Sequence, residues 1–160
     1  MAAANQSVSE AAGAITVTVQ LNTPAALGTD VTVDVVDLLT GSATVGAGND
    51  YTYTSPTQVT FASGSVNGAS QNVTVTILED VNPEANETIN LQLQNVAGPA
   101  TIPGATDDHT VTITDNEAGA TVQMAAATQS VGEGAGTATV TVQLNTAAAL
   151  GTAVTVDVVD

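Results

Sequence analysis

Short segments in which apolar and polar side chains alternate constrain this chain of 160 residues more than any other feature. Residues 16–21 read TVTVQL, and residues 31–36 read VTVDVV. Because successive side chains on a β-strand point to opposite faces, this alternation predicts strands with one apolar and one polar face. Val and Thr, which dominate these segments, are β-branched and fit strands better than helices. The pattern therefore predicts an all-β fold.

Seven strands are predicted in the first 117 residues. In five of them the expected inward-facing residues are Val17, Val19 and Leu21; Val31, Val33 and Val35; Val73, Val75 and Ile77; Ile89, Leu91 and Leu93; and Val111 and Ile113. A first strand at about 2–9 and a fourth at 51–61, where Pro56 favours a break, complete the set. Clusters of Gly, Pro and Asn separate the strands. Seven short strands with one apolar face each predict an immunoglobulin-like sandwich of two sheets.

A long internal repeat defines the predicted domain organisation. Residues 1–37 reappear as residues 124–160, with 30 of 37 positions identical at a constant offset of 123. That period suits one autonomous domain and exceeds the repeats of helical solenoids. We therefore predict tandem repetition with a complete domain at 1–117, a linker at 118–120 and the first three strands of a truncated second copy at 121–160. The chain is interpreted as a slice of a longer array.

The charge balance excludes several classes of partner. The chain has 16 Asp and Glu, no Lys, no Arg and no Cys, so its formal net charge is -16. Without cationic side chains, nucleic-acid binding and attraction to anionic membrane surfaces are disfavoured. No apolar run approaches the roughly 18 residues of a membrane span, so no direct membrane insertion is expected. The first residues lack a basic signal-peptide region, and any secretion signal is expected outside this segment.

The acidic residues are predicted to gather at one pole of the sandwich. In consecutive, mostly antiparallel strands, the loops after the first, third and fifth strands share a pole with the end of the seventh. Nine of the 13 acids in one period fall there: Glu10, Asp37, Asp50, Glu79, Asp80, Glu84, Glu87, Asp115 and Glu117. The opposite pole receives Asp30, Asp107 and Asp108, and Asp34 lies within a strand. The predicted surface is therefore strongly polarised.

Such a pole requires a cation to offset its charge. Carboxylates repel one another by about 1 kcal/mol per close pair in water, and more where they are partly desolvated. Oxygen donors without His or Cys favour Ca²⁺ or Mg²⁺, and donors from flexible loops suit the tolerant Ca²⁺ shell better. Calcium is therefore the predicted ion. The alternative interpretation is a solvated acidic surface that keeps the protein soluble.

Four segments then resemble the signature of Calx-beta domains, calcium-binding β-sandwich modules of sodium-calcium exchangers, integrin β4 and many bacterial surface proteins. These segments are SVSE (7–10), GNDYT (48–52), TILEDVNPEANETINLQL (76–93) and VTITDNE (111–117). The resemblance covers nearly all of residues 1–117 and resumes at 120–160. It implies that the metal-binding residues are Glu10, Asp50, Glu79, Asp80, Asp115 and Glu117, with Glu84 and Glu87 close by. The end of the seventh strand, Asp115-Asn116-Glu117, carries fewer acids than the family's richest sites.

For most of the remaining polar and aromatic residues we predict surface, turn or packing positions. Glu87 has an alternative role, because a Glu that opens a strand can simply bind neighbouring backbone. Surface or turn positions are predicted for Asp34, Asp37, Asp107 and Asp108. His109 is expected at the surface of a strand. Packing within the fourth strand is predicted for Tyr51, Tyr53 and Phe61.

The predicted function is structural. The seventh strand ends at the acidic pole and leads directly into the next repeat, so an ion there would stiffen the joint between domains. This predicts a calcium-binding repeat of a long extracellular or cell-surface fibre, stalk or adhesin. Its expected partners are neighbouring repeats, copies of itself, or a cell-surface or matrix ligand.

Two alternatives remain open. One is a self-assembling filament subunit in which residues 120–160 complete a neighbouring copy by adding strands to it. The other is a calcium-sensor module. An enzyme is not expected, because the sequence shows no phosphate loop, nucleophile elbow or zinc motif and has only a single His.

Overall fold

The computed structural model describes residues 1–104, 106–146 and 153–160. Two short 3-10 turns accompany the strands, at Glu10–Ala12 and Glu133–Ala135. The strands are β1 (Asn5–Ser9), β2 (Ala14–Gln20), β3 (Val31–Asp37), β4 (Tyr51–Thr52), β5 (Thr57–Phe61), β6 (Ser70–Ile77), β7 (Glu87–Ala97), β8 (Asp108–Thr114), β9 (Thr121–Met124) and β10 (Val142–Asn145). No helix long and apolar enough to cross a membrane occurs among these described residues.

The chain divides into two compact units, of which the first comprises Met1–Asp80 and Ala85–Asp115. One of its sheets has five strands in the order β1-β8-β7-β3-β5, and the other has three in the order β2-β6-β4. All neighbouring strands are antiparallel except β1 and β8, which run parallel. This arrangement confirms the predicted all-β sandwich.

Two of the predicted strands are shared between the sheets. The start of the first strand lies against β2, where the Ala2 N–H donates to the Thr18 carbonyl at 2.9 Å, whereas β1 itself pairs with β8. The predicted strand at 51–61 breaks around Pro56 into β4 and β5, which join different sheets. Proline has no N–H for a sheet ladder, so a change of sheet at this position is expected.

The apolar core lies between the two sheets and is built mainly from Val. The predicted inward-facing residues are buried, apart from Leu93, which is partly buried against the core. Tyr51 and Phe61 are also buried and Tyr53 is half-buried, as their predicted packing role requires. The alternation of side chains therefore identified the buried face of each strand correctly.

Two polar residues expected at the surface are buried instead. His109 is 3% exposed and Asp37 is 7% exposed, so a surface position was the wrong prediction for both. The turn position that was also predicted for Asp37 fits, because its Oδ1 accepts the Leu39 N–H two residues later. Each continues an apolar alternation by one step: His109 shares the inward face of β8 with Val111, and Asp37 shares that of β3 with Val35. His109 Nδ1 lies 2.8 Å from the Ala3 carbonyl oxygen, which accepts a hydrogen bond from it.

The second unit comprises Val81–Glu84 and Asn116–Asp160. Its β9 and β10 form an antiparallel pair in which Met124 lies opposite Val142. Residues 153–160 contain no strand, although they include residues 154–159, the counterpart of the predicted strand at 31–36. Residues 147–152, which correspond to the predicted loop between the second and third strands, lie outside the described residues. The described apolar residues of this unit are largely exposed, including Val140, Leu144 and Val156.

Candidate calcium site

Carboxylates gather into two groups of three among the described residues. Within each group, one ligand oxygen from every residue lies within 4.8 Å of the others. The first group is Glu10, Asp115 and Glu117, and the second is Asp50, Glu84 and Glu87. All six were predicted as metal-binding residues.

The parallel pairing of β1 with β8 assembles the first group. Ser9 lies opposite Thr114 in the register, so the next residue on each strand, Glu10 or Asp115, leaves the sheet at the same edge. Glu10 opens a 3-10 turn whose Ala11 N–H donates to Ser9 Oγ at 3.3 Å. Its side chain is held inward at 7% exposure. Glu117 follows Asp115 by two residues and joins the same group.

A loop that packs against the start of β7 assembles the second group. The Ala43 N–H donates to the Thr88 carbonyl at 3.0 Å, and Ser42 exchanges hydrogen bonds with Thr88. This close approach depends on Gly41, because a Cβ at that position would lie 1.9 Å from the Thr88 carbonyl oxygen. The loop is therefore fixed next to Glu87, the first residue of β7.

Asp50 lies at the end of the same loop and is held by backbone bonds. Its carboxylate Oδ2 accepts the Thr44 N–H, and its own N–H donates to the Thr44 carbonyl at 3.2 Å. Its carbonyl accepts the Leu78 N–H at 2.9 Å, which ties the loop to the residue after β6. The position of the Asp50 side chain is thus set by contacts with other parts of the first unit.

A buried tyrosine-carboxylate pair lies next to this loop. The Tyr51 hydroxyl donates to Asp37 Oδ2 at 2.6 Å, and Asp37 Oδ1 accepts the Leu39 N–H at 3.0 Å. Burial raises the pKa of Tyr51 well above its ordinary value, and the hydrogen bond to Asp37 and the negative charges of Asp37 and Asp50 raise it further. Tyr51 therefore stays a neutral donor, and it satisfies one oxygen of the buried Asp37 carboxylate.

The electrostatics of both groups favour a cation. The chain contains no Lys and no Arg to neutralise these carboxylates. Oxygens bound to opposite sides of Ca²⁺, at about 2.3–2.6 Å from the ion, are about 5 Å apart, so a spread of up to 4.8 Å suits its shell. Carboxylate oxygens without His or Cys are the ligands of hard cations. Both groups therefore fit Ca²⁺ by donor chemistry and spacing.

Two of the predicted metal-binding residues stand outside both groups. Glu79 is exposed and Asp80 is half-buried, directly after β6, and neither belongs to a group of three among the described residues. Their role as ligands stays a prediction.

Comparison with known proteins places this arrangement in a family. The profile of the Calx-beta domain matches residues 1–117 and again residues 115–159. No curated protein shows a significant sequence match.

Several solved structures share the fold. The crystal structure of the calcium binding domain CBD12 of CALX1.1 matches with 20% identity and a TM-score of 0.53, covering 70% of this chain and 42% of that chain. The crystal structure of the apo-form Calx CBD1 domain matches with 19% identity and a TM-score of 0.54, covering 71% of this chain and 92% of that chain. This chain thus spans less than half of the CBD12 structure but nearly all of the single CBD1 domain. Because the family profile covers most of the sequence, the chain belongs to the Calx-beta domain family.

Proposed function

We propose that this protein is a calcium-binding structural repeat of a long extracellular or cell-surface fibre, stalk or adhesin, in which Ca²⁺ stiffens the joint between successive domains. The observation that carries the proposal is the grouping of six carboxylates at the ends of strands in a chain without a basic side chain. Membership of a family whose solved relatives include calcium binding domains supports the choice of ion.

The position of the first group along the chain supports the mechanical role. Asp115 and Glu117 follow β8 directly, and the second repeat begins only a few residues later. An ion held by Glu10 and these two acids would tie the end of one domain to its own first strand. The first residues of the linker would then leave the domain in a fixed direction.

The second group would act on the domain itself. An ion between Asp50 and Glu87 would join the loop 38–50 to the first residue of β7. Because ligands that bind only the folded state stabilise it, calcium should raise the stability of the whole sandwich.

Composition supports an extracellular role. A protein without Lys and Arg offers no cleavage sites to trypsin-like proteases and no side-chain amines. A sensor remains the alternative function within this family, but repetition of a nearly identical segment favours a mechanical role over a switch. The proposed partners are neighbouring repeats or a cell-surface or matrix ligand of the parent protein.

Thermal unfolding in EDTA, Ca²⁺ and Mg²⁺ tests the proposed ion. We expect a calcium-selective rise in the melting temperature that is reduced in Glu10→Gln/Asp115→Asn and in Asp50→Asn/Glu87→Gln. The variant Glu133→Gln/Asp157→Asn removes the same charge from exposed positions of the second repeat and is the matched control. The proposal would be contradicted if Mg²⁺ raised the melting temperature as much as Ca²⁺ did, or if the control variant lost as much of the calcium effect as the other two variants. Non-specific screening of the negative charge would then explain the stabilisation.

Backbone ¹⁵N relaxation of the linker residues 118–120 tests the stiffened joint separately. We expect calcium to reduce the fast motion of these linker amides in the wild type but not in Glu10→Gln/Asp115→Asn. Linker motion that is the same with and without bound calcium would refute the mechanical role while leaving calcium binding intact.

A further inference from the structure

The loop between β3 and β4 continues the five-stranded sheet beyond the end of β3. Strand β3 ends at Asp37, which lies opposite Leu91, so the start of β7 extends past its neighbour. The backbone N–H and carbonyl of Thr88 therefore need partners from outside the ladder. The loop supplies both, because Ser42 Oγ accepts the Thr88 N–H at 3.0 Å and the Ala43 N–H donates to the Thr88 carbonyl at 3.0 Å.

Side chains add further bonds between this loop and β7. The Ser42 N–H donates to Thr88 Oγ1 at 3.2 Å, so the two residues bond each other reciprocally. Two residues along β7, the Asn90 carbonyl accepts the Leu38 N–H at 2.9 Å, and Asn90 Nδ2 donates to Thr40 Oγ1 at 3.2 Å. The first half of the loop is therefore bonded to two alternate residues of β7.

The backbone of the loop shows that these contacts determine its path. Leu39 is exposed and has a φ of 53°, in the left-handed region that is unfavourable for a residue with a Cβ. Gly41 lies so close to β7 that a Cβ there would overlap the Thr88 carbonyl oxygen. Strain of this kind persists only where the surrounding structure over-determines the backbone. We therefore regard the loop as a rigid part of the sandwich.

Thr88 connects two acids of the second group that are far apart in the sequence. Glu87 directly precedes Thr88 at the start of β7. On the other side of the contact, Thr44 follows Ser42 by two residues, and its N–H donates to Asp50 Oδ2. The separation of the backbone at Asp50 and at Glu87 is thus set through Thr88 and Ser42.

A fixed separation discriminates between cations by size. Oxygens on opposite sides of the ion are about 5 Å apart around Ca²⁺ but about 4 Å apart around Mg²⁺. The ligand oxygens of the second group lie within 4.8 Å of one another. A backbone held by several hydrogen bonds does not contract by about 1 Å without breaking some of them. Mg²⁺ would instead keep several waters and bind one or two carboxylates, which requires no fixed separation.

We propose that Thr88 is the positioning residue of the second group, and that its contacts with Gly41 and Ser42 give this group its preference for Ca²⁺ over Mg²⁺. The proposal rests on the proposed function, because it requires that Asp50 and Glu87 bind the ion. Thr88 acts through these two acids. Groups that orient metal ligands in this way typically contribute tenfold to hundredfold to the affinity for the metal.

Isothermal titration with Ca²⁺ and with Mg²⁺ tests the proposal in the full chain carrying Glu10→Gln/Asp115→Asn, which removes ligands of the first group. Thr88→Val keeps the shape of the side chain and loses the hydroxyl that accepts the Ser42 N–H. We expect it to raise the dissociation constant for Ca²⁺ by about tenfold and that for Mg²⁺ by less than about threefold. Gly41→Ala, which forces the loop away from β7, should lower the preference for Ca²⁺ at least as much.

Two matched variants control for the substitutions themselves. Thr18→Val removes a hydroxyl that donates to Asn72 Oδ1 at 2.9 Å on the three-stranded sheet. Gly28→Ala adds a Cβ where, among the described residues, no atom beyond its chain neighbours lies within 4 Å. Neither should change the ratio of the two dissociation constants, whatever its effect on the melting temperature in EDTA.

The outcomes separate this proposal from the proposed function. If Thr88→Val and Gly41→Ala bind Ca²⁺ and Mg²⁺ in the same ratio as the chain without them, the positioning role is overturned while calcium binding stands. If the chain carrying Glu10→Gln/Asp115→Asn binds no Ca²⁺ at all, the second group is not a calcium site and both proposals fail for it.

Discussion

Residues 1–37 and 124–160 are the same segment in two environments. They share 30 of 37 side chains, yet the first copy forms strands of five to seven residues that contribute to the core, whereas the described residues of the second copy form only short strands and are largely exposed. Both copies retain one backbone bond, Ala2 to Thr18 and Ala125 to Thr141, each at 2.9 Å. The local sequence therefore sets the pattern of side chains, but burial and strand length depend on the partners β5 to β8.

The largest expected effect compares equivalent leucines. Leu21→Ala should lower the free energy of unfolding by about 2–5 kcal/mol, because it removes a side chain that is 7% exposed. Leu144→Ala should change it by less than about 0.5 kcal/mol, since Leu144 is 49% exposed. Urea unfolding at low micromolar protein measures both. Equal losses would show that the second copy is also packed in a core.

A smaller effect compares equivalent acids. Asp37→Asn should cost about 1–3 kcal/mol, because Asp37 is buried and accepts the hydrogen bonds of the Tyr51 hydroxyl and the Leu39 N–H. Asp160→Asn, at the matching exposed position, should leave the unfolding free energy unchanged. The same urea titrations compare the two variants. If Asp37→Asn did not lower the free energy of unfolding, the hydrogen-bonded pair Tyr51–Asp37 would not contribute to the stability of the core.

The last effect appears at alkaline pH and should come from the first unit alone, which holds both tyrosines. Burial raises the pKa of Tyr51 and also that of Tyr53 above the ordinary value of about 10. The unfolded chain therefore releases these protons first, so stability is fully present below pH 10 and falls as pH rises, by at most about 1.4 kcal/mol per pH unit for each tyrosine.

Urea unfolding between pH 8 and 11.5 measures this slope, and Tyr51→Phe should reduce it. Absorbance at 295 nm follows the tyrosines directly. Normal titration of both tyrosines near pH 10 in the folded protein would contradict the buried environment of Tyr51.

Much of the fold could be predicted from the sequence because two-residue alternation determines which side of a strand is apolar. The packing of Tyr51 within the fourth strand and the break of that strand at Pro56 were also predicted. The burial of His109 and Asp37 could not be predicted, because a polar residue at the end of an alternating segment does not reveal which hydrogen-bond partner satisfies it. For Asp37 that partner is Tyr51, 14 residues away.

The candidate site was predictable only in part. The directions of the predicted strands placed Glu10, after the first strand, and Asp115, after the last, at the same pole. The division into two groups could not be predicted, because the second group depends on how the loop 38–50 packs against Thr88. That packing requires the absence of a side chain at Gly41, and a glycine in a polar loop does not reveal what it contacts.

The most direct test of the calcium account again uses the repeat. Glu10 and Glu133 occupy the same position in two nearly identical turns, but only Glu10 lies in a group of carboxylates among the described residues. Isothermal titration of the full chain with Ca²⁺ should show binding that Glu10→Gln weakens by tenfold or more and that Glu133→Gln leaves unchanged. Equal affinities in the wild type and both variants, or no calcium binding in the wild type, would contradict the account.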